Sequence, residues 1–185
     1  MSSNINLNDD FEYTPKFGGG GSEVYLKLND WSLPEQSEKI RIVSPTYTKL
    51  EFRKNDELLD TKLWEIDDYK QAIDDNEINK SQKFSWVVLV RQEDKDSVAK
   101  VWEASAGVWK KIAAIAQDPD WQPFNEVDIK VTRTGLKKDA RYSVVPSPVN
   151  RGQVTDNEWA IADQIQITKY LPQAMPLKKF KEIFG

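Results

Sequence analysis

Apolar and polar positions alternate with period two over most of the chain, the pattern of strands half buried in a sheet. Val24 to Leu28 is the first such stretch, and Lys39 to Ser44 is the second, stopped by Pro45. Tyr47 to Arg53 is the third, with Leu50 and Phe52 on one face and Lys49, Glu51 and Arg53 on the other. Lys83 to Arg91 is the strongest signal, β-branched and aromatic with a base at each end. Val98 to Glu103 follows a charged turn and is expected to pair back on it. The period then changes. Val108, Ile112 and Ile115 recur every three or four residues between Ala104 and Gln117, which predicts an amphipathic helix ended by Asp118-Pro119. Alternation returns at Glu126–Thr132 and at Ala140–Val145, with Gly135 marking the turn between them. Residues 155–171 are apolar in patches and ambiguous, and Pro176 to Gly185 is basic and amphipathic.

Several strands, one helix and two more strands predict a mainly β protein. The order fits an OB-fold-like five-stranded Greek-key barrel with one helix between strands 3 and 4. An α+β sandwich is the alternative. The strands do not alternate with helices, which argues against a doubly wound parallel sheet. Residues 1–22 read as a flexible acidic arm with a glycine hinge at Gly18–Gly21. Residues 23–150 form the expected domain, with an acidic insertion at 55–79 able to hold a short helix, and 151–185 form a C-terminal extension. Phe84, Trp86, Trp102 and Trp109 are expected in the core, and Phe52 is left between core and base contact.

The 185 residues include no cysteine and no histidine. That excludes a disulfide framework, Cys/His zinc sites and histidine-based catalysis. No cofactor or metal is expected. No run has the roughly 20 apolar residues of a membrane span, and the N-terminal residues lack the pattern of a signal peptide. A cytoplasmic protein without a membrane partner is the expectation.

The net charge is −4, but its distribution changes the picture. Residues 1–23 set Lys16 against four acids, and 55–79 set Lys62 and Lys70 against nine. The remainder is basic, most of all 127–151, where Lys130, Arg133, Lys137, Lys138, Arg141 and Arg151 oppose Asp128 and Asp139. A basic stripe on an otherwise acidic chain is the electrostatic footprint of a phosphate binder, although a solvated face would carry the same charges. Aromatic residues sit beside bases on the expected strands: Tyr47 with Lys49, Phe52 with Arg53, Lys83 with Phe84, and Arg141 with Tyr142. Cations hold phosphates and rings stack on bases, so this combination suits a single strand. The loop tryptophans Trp31 and Trp121 are further candidates for base contact.

Pro119-Asp120 followed by Asp128-Ile129-Lys130 also matches the bare pattern of metal-dependent PD-(D/E)xK nucleases. There two carboxylates hold Mg²⁺ and a lysine positions the attacking water. The match is short, and strand alternation alone would put Asp128 and Lys130 on a polar face. No phosphate-binding GxxxxGK[ST] loop occurs.

The segment Asp128-Ile129-Lys130-Val131-Thr132-Arg133-Thr134-Gly135, with Asp139-Ala140-Arg141-Tyr142 and the strand running on to Pro146-Ser147-Pro148, resembles tailed-phage single-stranded DNA-binding proteins. These are the T-even-like helix-destabilising group and its smaller relatives. The strands at Tyr25–Leu28, Lys39–Ser44 and Lys83–Arg91, and the helix before Asp118-Pro119, look similar in order, so the resemblance spans roughly 24–148. It departs from the larger members in having no Cys/His zinc site, an acidic rather than basic N-terminal arm, and a basic rather than acidic tail at Lys178–Gly185.

The resemblance implies a non-enzymatic protein that coats single-stranded DNA without strong sequence preference. It would protect the strand and destabilise duplex during phage replication, recombination or repair. Single-stranded DNA, replication or recombination proteins, and further copies of the chain along the DNA are the implied partners. Arg133, Lys137, Lys138 and Arg141 would line the groove, Lys130 would contribute, and Arg41, Arg53 and Lys83 would extend the track. Tyr142 and Tyr47 are the stacking candidates, followed by Trp31. An RNA-binding barrel and a protein-interaction barrel are alternative readings.

Overall fold

The computed structural model describes residues 23–30, 32–54, 57–63, 73–74, 78–93, 95–147, 152–171, 174–175 and 177–184. The expectations for the N-terminal arm, for Trp31 and for most of 64–77 lie outside these residues.

The protein is mainly β, built on a mixed sheet with a few helices. Among the described residues, nine strands run in chain order: β1 (Tyr25–Leu26), β2 (Glu35–Ile42), β3 (Tyr47–Lys54), β4 (Glu57–Leu63), β5 (Asn79–Gln92), β6 (Lys95–Ser105), β7 (Asp128–Thr134), β8 (Arg141–Ser147) and β9 (Ala174–Met175). The helices are α1 (Ala106–Gln117), α2 (Asp156–Asp163) and α3 (Leu177–Phe184). Among the described residues, no helix is long and apolar enough to cross a membrane.

The main path of the sheet is β8-β7-β2-β5-β3-β4-β9. The long strand β5 organises it. One of its edges pairs with β6, whereas the other is shared: Asn79–Ser85 pair with β3 and Val88–Val90 pair with β2. β2 and β3 therefore act as two halves of one interrupted strand. β2 also pairs antiparallel with β7, β7 with β8, and β1 runs parallel to β6. β8 lies at the end of this path, the kind of edge position where a strand tolerates a proline such as Pro146.

β5 reads as an unbroken apolar run because both its faces are covered. Phe84, Trp86, Val88 and Val90 pack with Trp102, Ile40, Ile129 and Val131 against Val108 and Ile112 of α1. Trp86 and Trp102 stand opposite each other with ring centroids 5.3 Å apart, and Phe84 stacks on Trp109 at 4.7 Å. These aromatic residues are core, as their pattern predicted. On the reverse face, Val87, Leu89 and Val101 pack against Ala162 and Ile167 of the C-terminal segment. Burial of each such aliphatic side chain stabilises by about 1.5–3 kcal/mol.

Three segments that the sequence left open take a definite form. The insertion at 55–79 begins as strand β4, because β3 offers a free edge for Glu57–Thr61 to pair with. The ambiguous stretch 155–171 forms α2, opened by a capping box between Thr155 and Glu158, and then a short 3-10 turn at Ile167–Lys169. The basic tail is helix α3, whose Phe180 is fully buried edge-on against Phe52, with centroids 5.0 Å apart.

Candidate nucleic-acid interface

β7 alternates strictly. Ile129, Val131 and Arg133 turn toward the α1 side, and Asp128, Lys130, Thr132 and Thr134 toward the reverse face. Register then fixes what lies beside them. Lys39, Lys130 and Val145 form one row across β2, β7 and β8. Ser37, Thr132 and Ser143 form the next, with Ser37 Oγ and Thr132 Oγ1 2.9 Å apart. Glu35, Thr134 and Arg141 form the third. Lys130, Arg141, Ser143 and Val145 are exposed, and Lys39 is half buried.

This strip offers ammonium, guanidinium and hydroxyl donors to a ligand. Lys39, Lys130 and Arg141 have no carboxylate at ion-pairing distance among the described residues. Like charges directly opposite each other destabilise a sheet, so the Lys39–Lys130 pair is not explained by stability. Elsewhere in the sheet the same problem is solved with acids. Lys49 and Lys83 are also direct cross-strand neighbours. There Lys49 meets Glu103 at 2.8 Å and Glu51 at 3.9 Å, and Lys83 meets Glu51 at 3.6 Å.

The strip ends at a two-loop tip. Gly135 N donates to Pro34 O at 2.9 Å, tying the β1–β2 loop to the β7–β8 turn. Gly135 has φ +81°, and a Cβ there would lie 2.6 Å from Asp139 O, so the turn requires glycine. The tip carries Leu33 and Leu136, 44% and 46% exposed, beside exposed Lys137 and Lys138. Asp30 also lies here. Hydrogen bonds from the Ser32 hydroxyl and backbone hold its carboxyl below the usual range, with Arg133 assisting.

Two bases expected on the track are buried. Arg133 is 0% exposed and faces the α1 side. Its Nη2 donates to Asp30 O at 2.9 Å, Leu33 O at 3.0 Å and Gln36 Oε1 at 3.2 Å, and its Nη1 donates to Gly135 O. It is the hub that fastens the two loops of the tip. Arg141 pairs with Thr134, one register position away, and so lies on the opposite face from Arg133. The groove expected between these two arginines does not form.

Arg41 is 2% exposed, and its Nε donates to Asp128 Oδ1 at 2.6 Å while Nη1 donates to Gly152 O. Arg91 Nε reaches both oxygens of the fully buried Asp128 at 3.2 Å, and Arg91 Nη1 bonds Ser97 Oγ and Glu158. Buried charges in this number are tolerable because each is paired and hydrogen-bonded. Two guanidiniums occupy the Asp128 carboxylate that the nuclease pattern would have turned toward a metal.

The remaining candidates separate by position. Lys130, Lys137, Lys138 and Arg141 are brought together on the strip and its tip. Tyr142 faces the α1 side opposite Arg133 and packs half buried against the core. Burial pushes its phenol above the usual range, with Arg133 pulling it partly back. Tyr47 is half buried among the reverse-face apolar residues, Lys83 is paired with Glu51, and Arg53 is exposed on β3. These three belong to the β3–β5 part of the sheet and do not join the strip. Lys39 and the hydroxyls Ser37, Thr132, Thr134 and Ser143 are the residues that sequence reasoning missed. Their signal is the Ser/Thr/Lys content of alternate strand positions, which acquires meaning only with the register. Comparison with models of protein families, with curated proteins and with solved structures finds no match to this chain.

Proposed function

We propose that this chain binds single-stranded nucleic acid through the reverse face of β2, β7 and β8, without strong sequence preference and without catalysing a reaction. The observation that carries the proposal is the unneutralised Lys39–Lys130 pair, continued through a row of hydroxyls to Arg141, Lys137 and Lys138. Phosphate contacts of this kind position a strand and read no bases.

The strand pairing supports the OB reading. If β2 and β3 count as one broken first strand, the ladders β2/β3–β5, β5–β6, β2–β7 and β7–β8 are those of a five-stranded Greek-key barrel. α1 stands between its third and fourth strands, β6 and β7, and packs against Tyr142 and Val144 of β8. The ladder that would close the barrel, from β6 to β8, is absent among the described residues. With the sequence resemblance, this favours a phage single-stranded DNA-binding protein acting in the host cytoplasm during replication, recombination or repair.

The test is a titration of the protein with oligo-dT, oligo-rU and duplex DNA, in chelator, at several salt concentrations. Neutralisation of four to six phosphates predicts a slope of log K against log salt of roughly −3 to −4. An affinity that ignores salt, or that is unchanged by Lys39→Glu with Lys130→Glu, overturns the proposal.

A further inference from the structure

Large apolar side chains reach the surface at few places, and those places are not scattered evenly. Among the described residues they are Leu33, Val98, Leu136, Val145 and Trp159. Three of these five lie with the cationic strip: Val145 in the Lys39–Lys130 row, and Leu33 and Leu136 at the tip. A lone exposed leucine is ordinary. These two are held as a pair. The Arg133 guanidinium donates both to the carbonyl of Leu33 and to the carbonyl of Gly135, which immediately precedes Leu136. Gly135 N also donates to the carbonyl of Pro34, which immediately follows Leu33. The two leucines thus stand on neighbouring chain segments that run side by side, at about the 4.8 Å spacing of paired strands. A base fastened this firmly has little freedom left to lose when it meets a ligand.

The strip leads a bound strand to this tip. Where a single strand becomes duplex, the last base pair turns one face outward. That face is flat, uncharged and two bases wide. We infer that the tip caps it: Leu33 lies against one base of the terminal pair and Leu136 against the other, while the overhanging strand runs along the strip. Apolar side chains, leucine among them, are the groups that proteins set against opened base steps. A junction presents its face already open, so the leucines are buried there without the cost of unstacking a step. Lys137 and Lys138 keep their phosphates. The inference rests on the nucleic-acid-binding reading and names the preferred target of that site, a junction of single strand and duplex. A continuous single strand lacks the face, and a blunt duplex lacks the overhang that the strip holds.

The experiment measures binding of the full-length protein, in chelator at one salt concentration, to three labelled DNAs: a hairpin with an oligo-dT overhang, the same oligo-dT alone, and the hairpin with a blunt end. Overhangs of both polarities are used, because the two ends of the strip differ and a strand enters it in one direction. The expected result is an affinity about tenfold higher for one of the overhang hairpins than for the bare strand, from partial burial of the two leucines. The blunt hairpin should bind more weakly than either. Leu33→Ser with Leu136→Ser should lose the gain and keep the bare-strand affinity, and Leu136→Met should keep both. Both leucines are exposed, so the double variant should melt with the unaltered protein. Equal affinity for the bare strand and for both overhang hairpins, or a gain that survives the double serine variant, overturns the inference and leaves the binding reading intact. No binding to any of the DNAs removes the binding reading itself.

Discussion

Lys39 and Lys130 stand directly opposite each other across the β2–β7 ladder, on one face of the sheet, with no acid paired to either among the described residues. Replacing Lys130 with threonine should therefore do two opposite things. Stability should rise by about 0.2–1 kcal/mol as the repulsion is lost. Binding of single strands should weaken, with the salt slope reduced by about 0.7 for the lost phosphate contact. Urea denaturation and a salt titration measure the two effects on one variant. A destabilised Lys130→Thr protein would mean that the pair is structural.

Arg133 should behave as a structural residue. Arg133→Met leaves the carbonyls of Asp30, Leu33 and Gly135 without their donor. An acceptor abandoned where water cannot replace the donor costs about 1–3 kcal/mol, and these part-buried carbonyls lie at or below the low end of that range. The melting temperature should fall, and hydrogen exchange should rise at the tip. The salt slope of the protein that remains folded should not change.

Removal of the Asp128 carboxylate should be more damaging. Asp128→Ala strands the guanidiniums of Arg41 and Arg91 in a buried site. Loss of one partner from a buried ion cluster costs about 3–5 kcal/mol. The denaturation midpoint in urea should drop accordingly. A midpoint within error of the unaltered protein would refute the buried cluster.

Glu38 gives a pH dependence. It lies on the α1 side of β2 with Gln36 and Ile40, and burial raises its carboxyl above the ordinary value of 4.5. A raised folded-state value means that folding favours the protonated form. The associated stabilisation is complete below 4.5 and is lost as pH rises through the folded value. Glu38→Gln, which stays neutral, should melt higher than the unaltered protein at neutral pH and lose that advantage below 4.5. Thermal melts at the two conditions decide the point.

Gly135→Ala probes the turn. A side chain at φ +81° meets Asp139 O at 2.6 Å, so the loss should exceed about 1 kcal/mol. Calorimetry measures it, and weaker strand binding should follow because Lys137 and Lys138 sit on that turn.

Much of the fold was legible because it rests on periodicity. β5, β6, β7 and α1 occupy the segments their patterns mark. The start of β2 was missed because Glu35–Ser37 are polar on both faces and become a strand only by pairing with β7. β4 was missed for the same reason, since β3 decides its conformation. The candidate site was legible in composition and not in placement. Alternation along β7 separates Arg133 from Lys130 and Thr134, yet no local pattern reveals that Arg133 reaches four acceptors in the tip. Nor does it reveal that Arg41, Arg91 and Asp128, distant in sequence, converge. Lys39 gained its significance from the residue facing it, which only the register supplies.

The segment 152–171 bears on how the molecule can be cut. It sheathes Val87, Leu89 and Val101 and supplies Glu158 and Gly152 O to the arginines beneath. A fragment ending at Ser147 would leave an oily wall and two half-satisfied guanidiniums facing water. Such a fragment should precipitate or recruit chaperones during expression, whereas one extended through Tyr170 should remain dispersed.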